Sequence, residues 1–230
     1  PAGKTFTFGS SGLLYQSNKL MYDRESDSLW NQLTGEPVSG PLGGSKIVLA
    51  RLPIVVTTWG RWKSLHPQTT VLSLDTGHRR DYTPGKPYGE YFASPQMMFP
   101  ITLSNPRLAP KTQVFALALA EGTKAYPLDT LSTAGVVNDQ IATRNGVLVA
   151  EPNGGAVRAY ERGDREFLPV QRAALGGTFL SDQEARAWKV TEEALIGPKG
   201  ARLERLPGHL AYWFGWASFF PKTELWQSQP

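Results

Sequence analysis

The densest concentration of side chains capable of chemistry is the run Asp75, His78, Arg79, Arg80, Asp81 and Tyr82, followed closely by Lys86, Tyr88 and Tyr91. Paired guanidinium groups suit a carboxylate or phosphate, because their planar forks match the oxygens of such anions. A histidine and a carboxylate beside them could handle protons. The same residues also serve a plainer purpose, since Asp75 and Asp81 can form ion pairs or cap turns in an ordered crossover. Together, Asp75, His78, Arg79, Arg80, Asp81 and Tyr82 are ligand-binding candidates, and no residue is assigned a catalytic role.

Other chemistry finds less support. His66, His78 and His209 lie far apart and form no i,i+4 pair, so no metal site is expected, and no cofactor is implied. Cysteine is absent, which excludes disulfides, thiolate nucleophiles and cysteine-built metal sites within these residues. Gly9-Ser10-Ser11-Gly12 is not a nucleophile elbow, and Gly40 to Gly44 lacks the Lys-Ser/Thr ending of a phosphate loop. Both read as turns. The tryptophans could stack on sugars, but the i,i+3 spacing of Trp59/Trp62 and Trp213/Trp216 favours core anchors.

Composition sets the wider bounds. The chain has 230 residues, 40% of them hydrophobic and 19% charged, which is globular, while 23 Gly and 18 Pro point to a turn-rich β fold. Residues 1–115 hold twelve Lys/Arg against seven Asp/Glu, and residues 116–230 hold twelve against thirteen. A surplus so small and scattered falls short of a nucleic-acid footprint. No apolar run is long enough to span a bilayer. The first residue is Pro1 rather than Met, so a leader, anchor or further segment upstream is expected.

The elements that would position these groups show a duplication. Trp30 is followed by Gly40-Pro41, Leu52-Pro53, Trp59, Trp62, Pro67 and Thr69, and Trp188 by Gly197-Pro198, Leu206-Pro207, Trp213, Trp216, Pro221 and Thr223. From the Leu-Pro step onward the spacing is identical, as in a unit built twice. The expected organisation is a first repeat over 1–74, a Pro-rich connector over 75–112 and a second repeat over 113–230, packed as one body. The fold class is β-rich α+β: two related small sheets or open barrels, each bearing a short Trp-x-x-Trp helix.

Locally, Thr57-Thr58 offers an N-cap for a helix from Trp59 to His66, stopped by Pro67. Its counterpart, Leu210 to Phe220, is apolar all round and must be covered on all sides. Strands are expected at Ile47–Leu49, Val71–Leu74, Val114–Ala120, Val136–Asp139 and Val147–Val149. A hairpin turn is expected at Pro152 to Gly155, and a short helix ending at Thr133. Six prolines between Asp75 and Pro110 leave no regular element there, and His209, just after Pro207-Gly208, reads as a loop residue.

These residues carry a resemblance. Phe8-Gly9-Ser10-Ser11-Gly12-Leu13-Leu14-Tyr15, Met21-Tyr22-Asp23-Arg24, Ser28-Leu29-Trp30 and Leu33-Thr34-Gly35 resemble the prokaryotic family known as domain of unknown function thirty-one seventy-nine. So do Gly40-Pro41-Leu42, Thr58-Trp59 with Trp62-Lys63 and His66-Pro67, Asp75-Thr76-Gly77 with Arg80-Asp81-Tyr82, and Ala125-Tyr126-Pro127-Leu128 with Val137-Asn138-Asp139. The resemblance covers nearly the whole chain and implies an exported or membrane-tethered protein; it carries over no activity. Family members usually have a further upstream segment with a Tyr-Cys-Pro-Leu-Cys-Gly motif. Here the matching place in the second repeat is Ala150-Glu151-Pro152-Asn153-Gly154-Gly155, so no role of those cysteines can be assigned to this chain.

Two functional expectations follow. The first is a non-catalytic extracytoplasmic binding or accessory subunit, docked on a protein partner or a larger membrane-bound redox assembly, with Tyr212, Phe214 and Phe219 as interface candidates. Alternatively, that apolar helix packs between the repeats. The second expectation is an enzyme or anionic small-ligand binder that uses the Asp75 to Tyr91 connector.

Overall fold

The computed structural model describes residues 3–152, 156–170 and 177–228. A four-stranded antiparallel meander comes first: β1 (Phe8–Tyr15), β2 (Asn18–Asp23), β3 (Leu29–Asn31) and β4 (Pro37–Ser39), paired in chain order. Its inner anchor is Trp30, which packs edge-on to Phe8 at 5.5 Å and donates its indole N–H to the buried Asp23 carboxylate at 2.7 Å. The carboxylate also accepts from the Ser26 hydroxyl, so the buried charge is hydrogen-bonded rather than stranded.

From there to residue 112 regular structure is sparse. Helix α1 (Trp59–Leu65) starts where predicted, with the Thr58 hydroxyl accepting from the Arg61 N–H at 3.2 Å. The proline-dense connector does contain one element, α2 (Gly89–Ala93), which is five residues long and fits between Pro87 and Pro95. Ile47–Leu49 and Val71–Leu74 join no ladder; Leu49 makes a single backbone bond, to the Gly35 carbonyl at 2.8 Å.

The second half is much more regular. β5 (Gln113–Ala118) and β6 (Thr123–Pro127) form a hairpin leading into α3 (Leu128–Ala134). Then follow β7 (Val136–Ile141), β8 (Arg144–Ala150), β9 (Val157–Glu161), β10 (Phe167–Val170), β11 (Phe179–Asp182), β12 (Ala187–Val190), β13 (Ala194–Ile196) and β14 (Arg202–Leu206). Eight of these make one antiparallel sheet in the order β10-β11-β12-β13-β14-β9-β8-β7. Its ends approach each other: the Asn138 amide on β7 both donates to and accepts from the Phe167 backbone on β10 at 2.8 Å, which nearly closes a barrel. The hairpin turn expected at Pro152 to Gly155 falls mostly on residues outside those described.

The chain then crosses at Leu206-Pro207 into a third sheet. β15 (Gly208–Tyr212), β5, β6 and β16 (Glu224–Leu225) lie in that order, with α4 (Trp213–Phe219) between β15 and β16. Gly208 is required where the two layers meet, since a Cβ there would lie 2.2 Å from the buried Phe115 ring. One apolar cluster fills the space around β5, α3, β8 and Leu206, and a second joins Val114, Ala116, Ala118 and Ala125 to Trp213, Trp216 and Ala217. The alanines matter because small side chains leave room for two indoles to pack against the sheet. A third cluster, inside the eight-stranded sheet, holds Phe167, Leu180 and Trp188.

Among the described residues the architecture is β-rich with four short α-helices, as expected for the class. Two boundaries are corrected. Leu210 to Tyr212 belong to a strand, not to the start of the helix, because β5 pairs with them residue by residue. For the same reason His209 is a strand residue, half-buried opposite Ala116.

Candidate functional site

The Asp75 to Tyr82 cluster is solvent-exposed throughout and its contacts are local. The Thr76 and Tyr82 hydroxyls share a hydrogen bond of 2.7 Å, and Asp81 accepts from the Thr83 N–H at 2.9 Å, which holds its carboxyl below the usual range. Among the described residues, His78, Arg79 and Arg80 make no side-chain ion pair. The interface candidates are placed differently. Phe214 is buried, Phe219 packs edge-on against Tyr15 at 5.6 Å, and Tyr212 is stacked on Phe214 and edge-on to Tyr91. Helix α4 is thus covered largely by its own chain.

The exposed helix is α1. Its local geometry matches that of α4 closely: Trp62 donates to the Thr69 hydroxyl at 3.0 Å and lies 4.1 Å from the His66 ring, while Trp216 donates to Thr223 at 3.0 Å and lies 4.2 Å from Phe220. The surroundings differ. Trp213 is 1% exposed and Leu206 4%, whereas Trp59 is 49% exposed and Leu52 77%. The expectation that Trp59 is a core anchor is therefore overturned. In the second half β5, β6 and β9 stand against these positions; in the first half nothing among the described residues takes their place.

The backbone shows the same difference. β15 pairs with β5 along its whole length, but no N–H from Ala50 to Thr58 donates a hydrogen bond among the described residues. Ile54 and Val56 project into solvent beside this unpaired edge. Among the described residues, Arg205 bonds to the Ile54 carbonyl at 2.9 Å, Arg51 to the Ala118 carbonyl at 3.2 Å, and Arg61 on α1 pairs with Glu151 at 3.4 Å.

Next to this edge, a cleft of about 740 Å³ separates the β1–β4 meander from β15 and α4. Its walls include Met21, Trp30, Leu49, Tyr91, Leu210 and Tyr212, with Arg51 and His209 among the few polar groups. Arg51 spends four of its five N–H groups on carbonyls, two on Leu33 and one each on Thr34 and Ala118. Burial lowers its pKa, although a guanidinium stays charged, and no carboxylate lies within ion-pair distance among the described residues. His209 Nε2 is buried without a partner. Burial, and secondarily the Arg51 charge, push His209 down and keep the ring neutral at pH 7.

Arg51 was missed in the sequence because nothing local marks it, and His209 was read as a loop residue, although the apolar run after Pro207 could have been read as a strand. No group of His, Asp or Glu able to hold a metal occurs among the described residues, and no helix there is long and apolar enough to cross a membrane.

The sequence profile described as Protein of unknown function (DUF3179) matches residues 2–223. The chain belongs to this family. No curated protein and no solved structure shows a significant match. The family description names no activity, so the functional reading has to come from the site.

Proposed function

We propose that the protein is a non-catalytic binding or accessory subunit made of two copies of one unit, and that the first copy receives a polypeptide strand along residues 50–58 and α1. The duplication reading is supported by paired details. Phe8, Asp23 and Trp30 match Phe167, Asp182 and Trp188, with indole-to-carboxylate bonds of 2.7 and 3.0 Å and edge-on ring contacts of 5.5 and 5.6 Å. In both copies the phenylalanine also stands opposite the aspartate in the strand register.

The observation that carries the functional reading is the difference between matched surfaces: what 113–161 covers in the second copy stands open in the first. A segment with unpaired backbone N–H groups, flanked by exposed Leu52, Ile54, Val56 and Trp59, can serve as a template for β-augmentation, in which main-chain bonds give affinity and side chains give specificity. Residues 37–74 carry four Lys/Arg and no acid, and although Arg61 is paired with Glu151 at 3.4 Å, the remaining positive charge favours an incoming strand bearing Asp or Glu and disfavours the same edge of a second copy. Extracytoplasmic placement and docking on a larger membrane-associated assembly are part of the same proposal and rest on the family resemblance.

The test is site-specific photocrosslinking in the source cells from Leu52 and Val56, with the equally exposed Leu168 as control. Crosslinks from both positions into one segment, in antiparallel order, with slowed amide exchange over 50–58 in the complex, would support the reading. Crosslinking no stronger than at Leu168, or unchanged exchange, would overturn it.

A further inference from the structure

We infer that the cleft between the β1–β4 meander and β15/α4 is a binding site for a small amphipathic carboxylate, with its anionic head at Arg51 and His209 and its apolar body along Met21, Leu210 and Tyr212. The cleft borders the proposed docking segment and shares Ala50, Arg51, Leu52 and Ile54 with it, but its other wall, from Met21 to Tyr212, lies outside that segment, and the inference does not require a partner along 50–58.

Three observations lead there. The cavity, about 740 Å³, falls within the range of pockets that enclose drug-sized ligands, and its walls are mostly aliphatic and aromatic. Such a pocket gains its affinity from apolar area and its orientation from a few polar groups.

Arg51 is one of those groups. A half-buried guanidinium bonded only to neutral carbonyls keeps an unneutralised charge in a low-dielectric setting, with one N–H unspent. An arriving carboxylate supplies the missing counter-charge, and its single charge matches that of Arg51. A phosphate would bring more charge than the one remaining N–H can satisfy.

His209 is the second. A buried ring nitrogen without a hydrogen bond carries a desolvation penalty that a ligand atom can relieve. Being neutral, His209 leaves Arg51 as the cleft's single fixed cation near the head position, and Glu36 acts on it only at longer range from an exposed position.

Calorimetric titration of the full chain with three probes sharing a twelve-carbon tail tests the inference: dodecanoate, dodecanol and dodecyltrimethylammonium, each below its micelle concentration. Dodecanoate should bind once per chain and more tightly than dodecanol by roughly tenfold, the size of one charge-assisted hydrogen bond, with the cation weakest. Arg51→Gln should bring dodecanoate and dodecanol together. Because Arg51 also ties Leu33 and Thr34 to Ala118, Met21→Trp provides a second variant, filling the cleft from the meander wall and leaving every polar group in place. It should remove binding of all three probes while the far-UV circular dichroism melt persists. Equal affinity for the three probes, several molecules bound per chain, or undiminished binding to a folded Met21→Trp variant would each overturn the assignment.

Discussion

Replacing matched residues in the two halves should give very unequal losses of stability. Trp213→Ala removes a fully buried indole packed on Val114, Ala116 and Ala125 and deletes its bond to the Asn105 carbonyl at 2.9 Å. Large-to-small changes at such sites cost about 3–5 kcal/mol. Trp59→Ala, at the same position of the matching helix, removes an indole about half in water and with no β5 beneath it, so the loss should stay within about 1 kcal/mol. The leucines provide an independent pair: Leu206→Ala should cost about 2–5 kcal/mol, and Leu52→Ala no more than about 0.5 kcal/mol. Urea unfolding followed by far-UV circular dichroism is the appropriate assay, because seven tryptophans make fluorescence hard to assign. If Trp59→Ala and Leu52→Ala lower the unfolding free energy as much as their partners do, the first-half face is buried in solution, and the argument for an open docking edge fails.

Two further predictions concern the second half. Asp182 is buried, which by itself raises its pKa, but bonds from the Trp188 indole, from Arg186 and from backbone N–H groups outweigh this and hold it at about 2. Since the folded value lies below the unfolded one, the stabilisation is complete above pH 4, amounts to about 2 kcal/mol, and is lost as pH falls toward 2. Asp182→Asn should flatten that part of the urea midpoint against pH profile, and an unchanged slope would show that the bonds do not tune this carboxyl. Gly208→Ala should cost about 1–3 kcal/mol or more, because its Cβ would lie 2.2 Å from the Phe115 ring in a filled core. Gly215→Ala in α4, where a Cβ meets nothing within 4 Å, should instead gain about 0.5–1 kcal/mol, so melting temperatures that move in the same direction would contradict this reading of the packing.

The features legible in the sequence are those encoded by bonds between near neighbours. Short helices begin at Trp59 and Trp213, and in each an indole N–H reaches a threonine hydroxyl seven residues on. Thr58 caps α1 as its position implied, and the strands near 114, 136 and 147 follow from β-branched runs between turns. Leu210 to Tyr212 were misread because a short apolar run has no period that separates strand from helix; β5, distant in sequence, decides the matter by pairing with it. The exposure of Trp59 was hidden for a related reason. Both halves carry the same Trp-x-x-Trp signature, and a signature records how a helix is built, not what lies against it. The pairing of Arg51 with His209 was not legible because the two come to line one cleft only when the meander stands over β15, and a cleft formed between two halves leaves no pattern in either. The candidate chemistry moves accordingly. The run from Asp75 to Tyr82 looked richest as a string of residues, and its side chains are exposed, so interactions between charges there are screened. The few polar groups in the cleft are poorer in number, but burial makes each unmet hydrogen bond count.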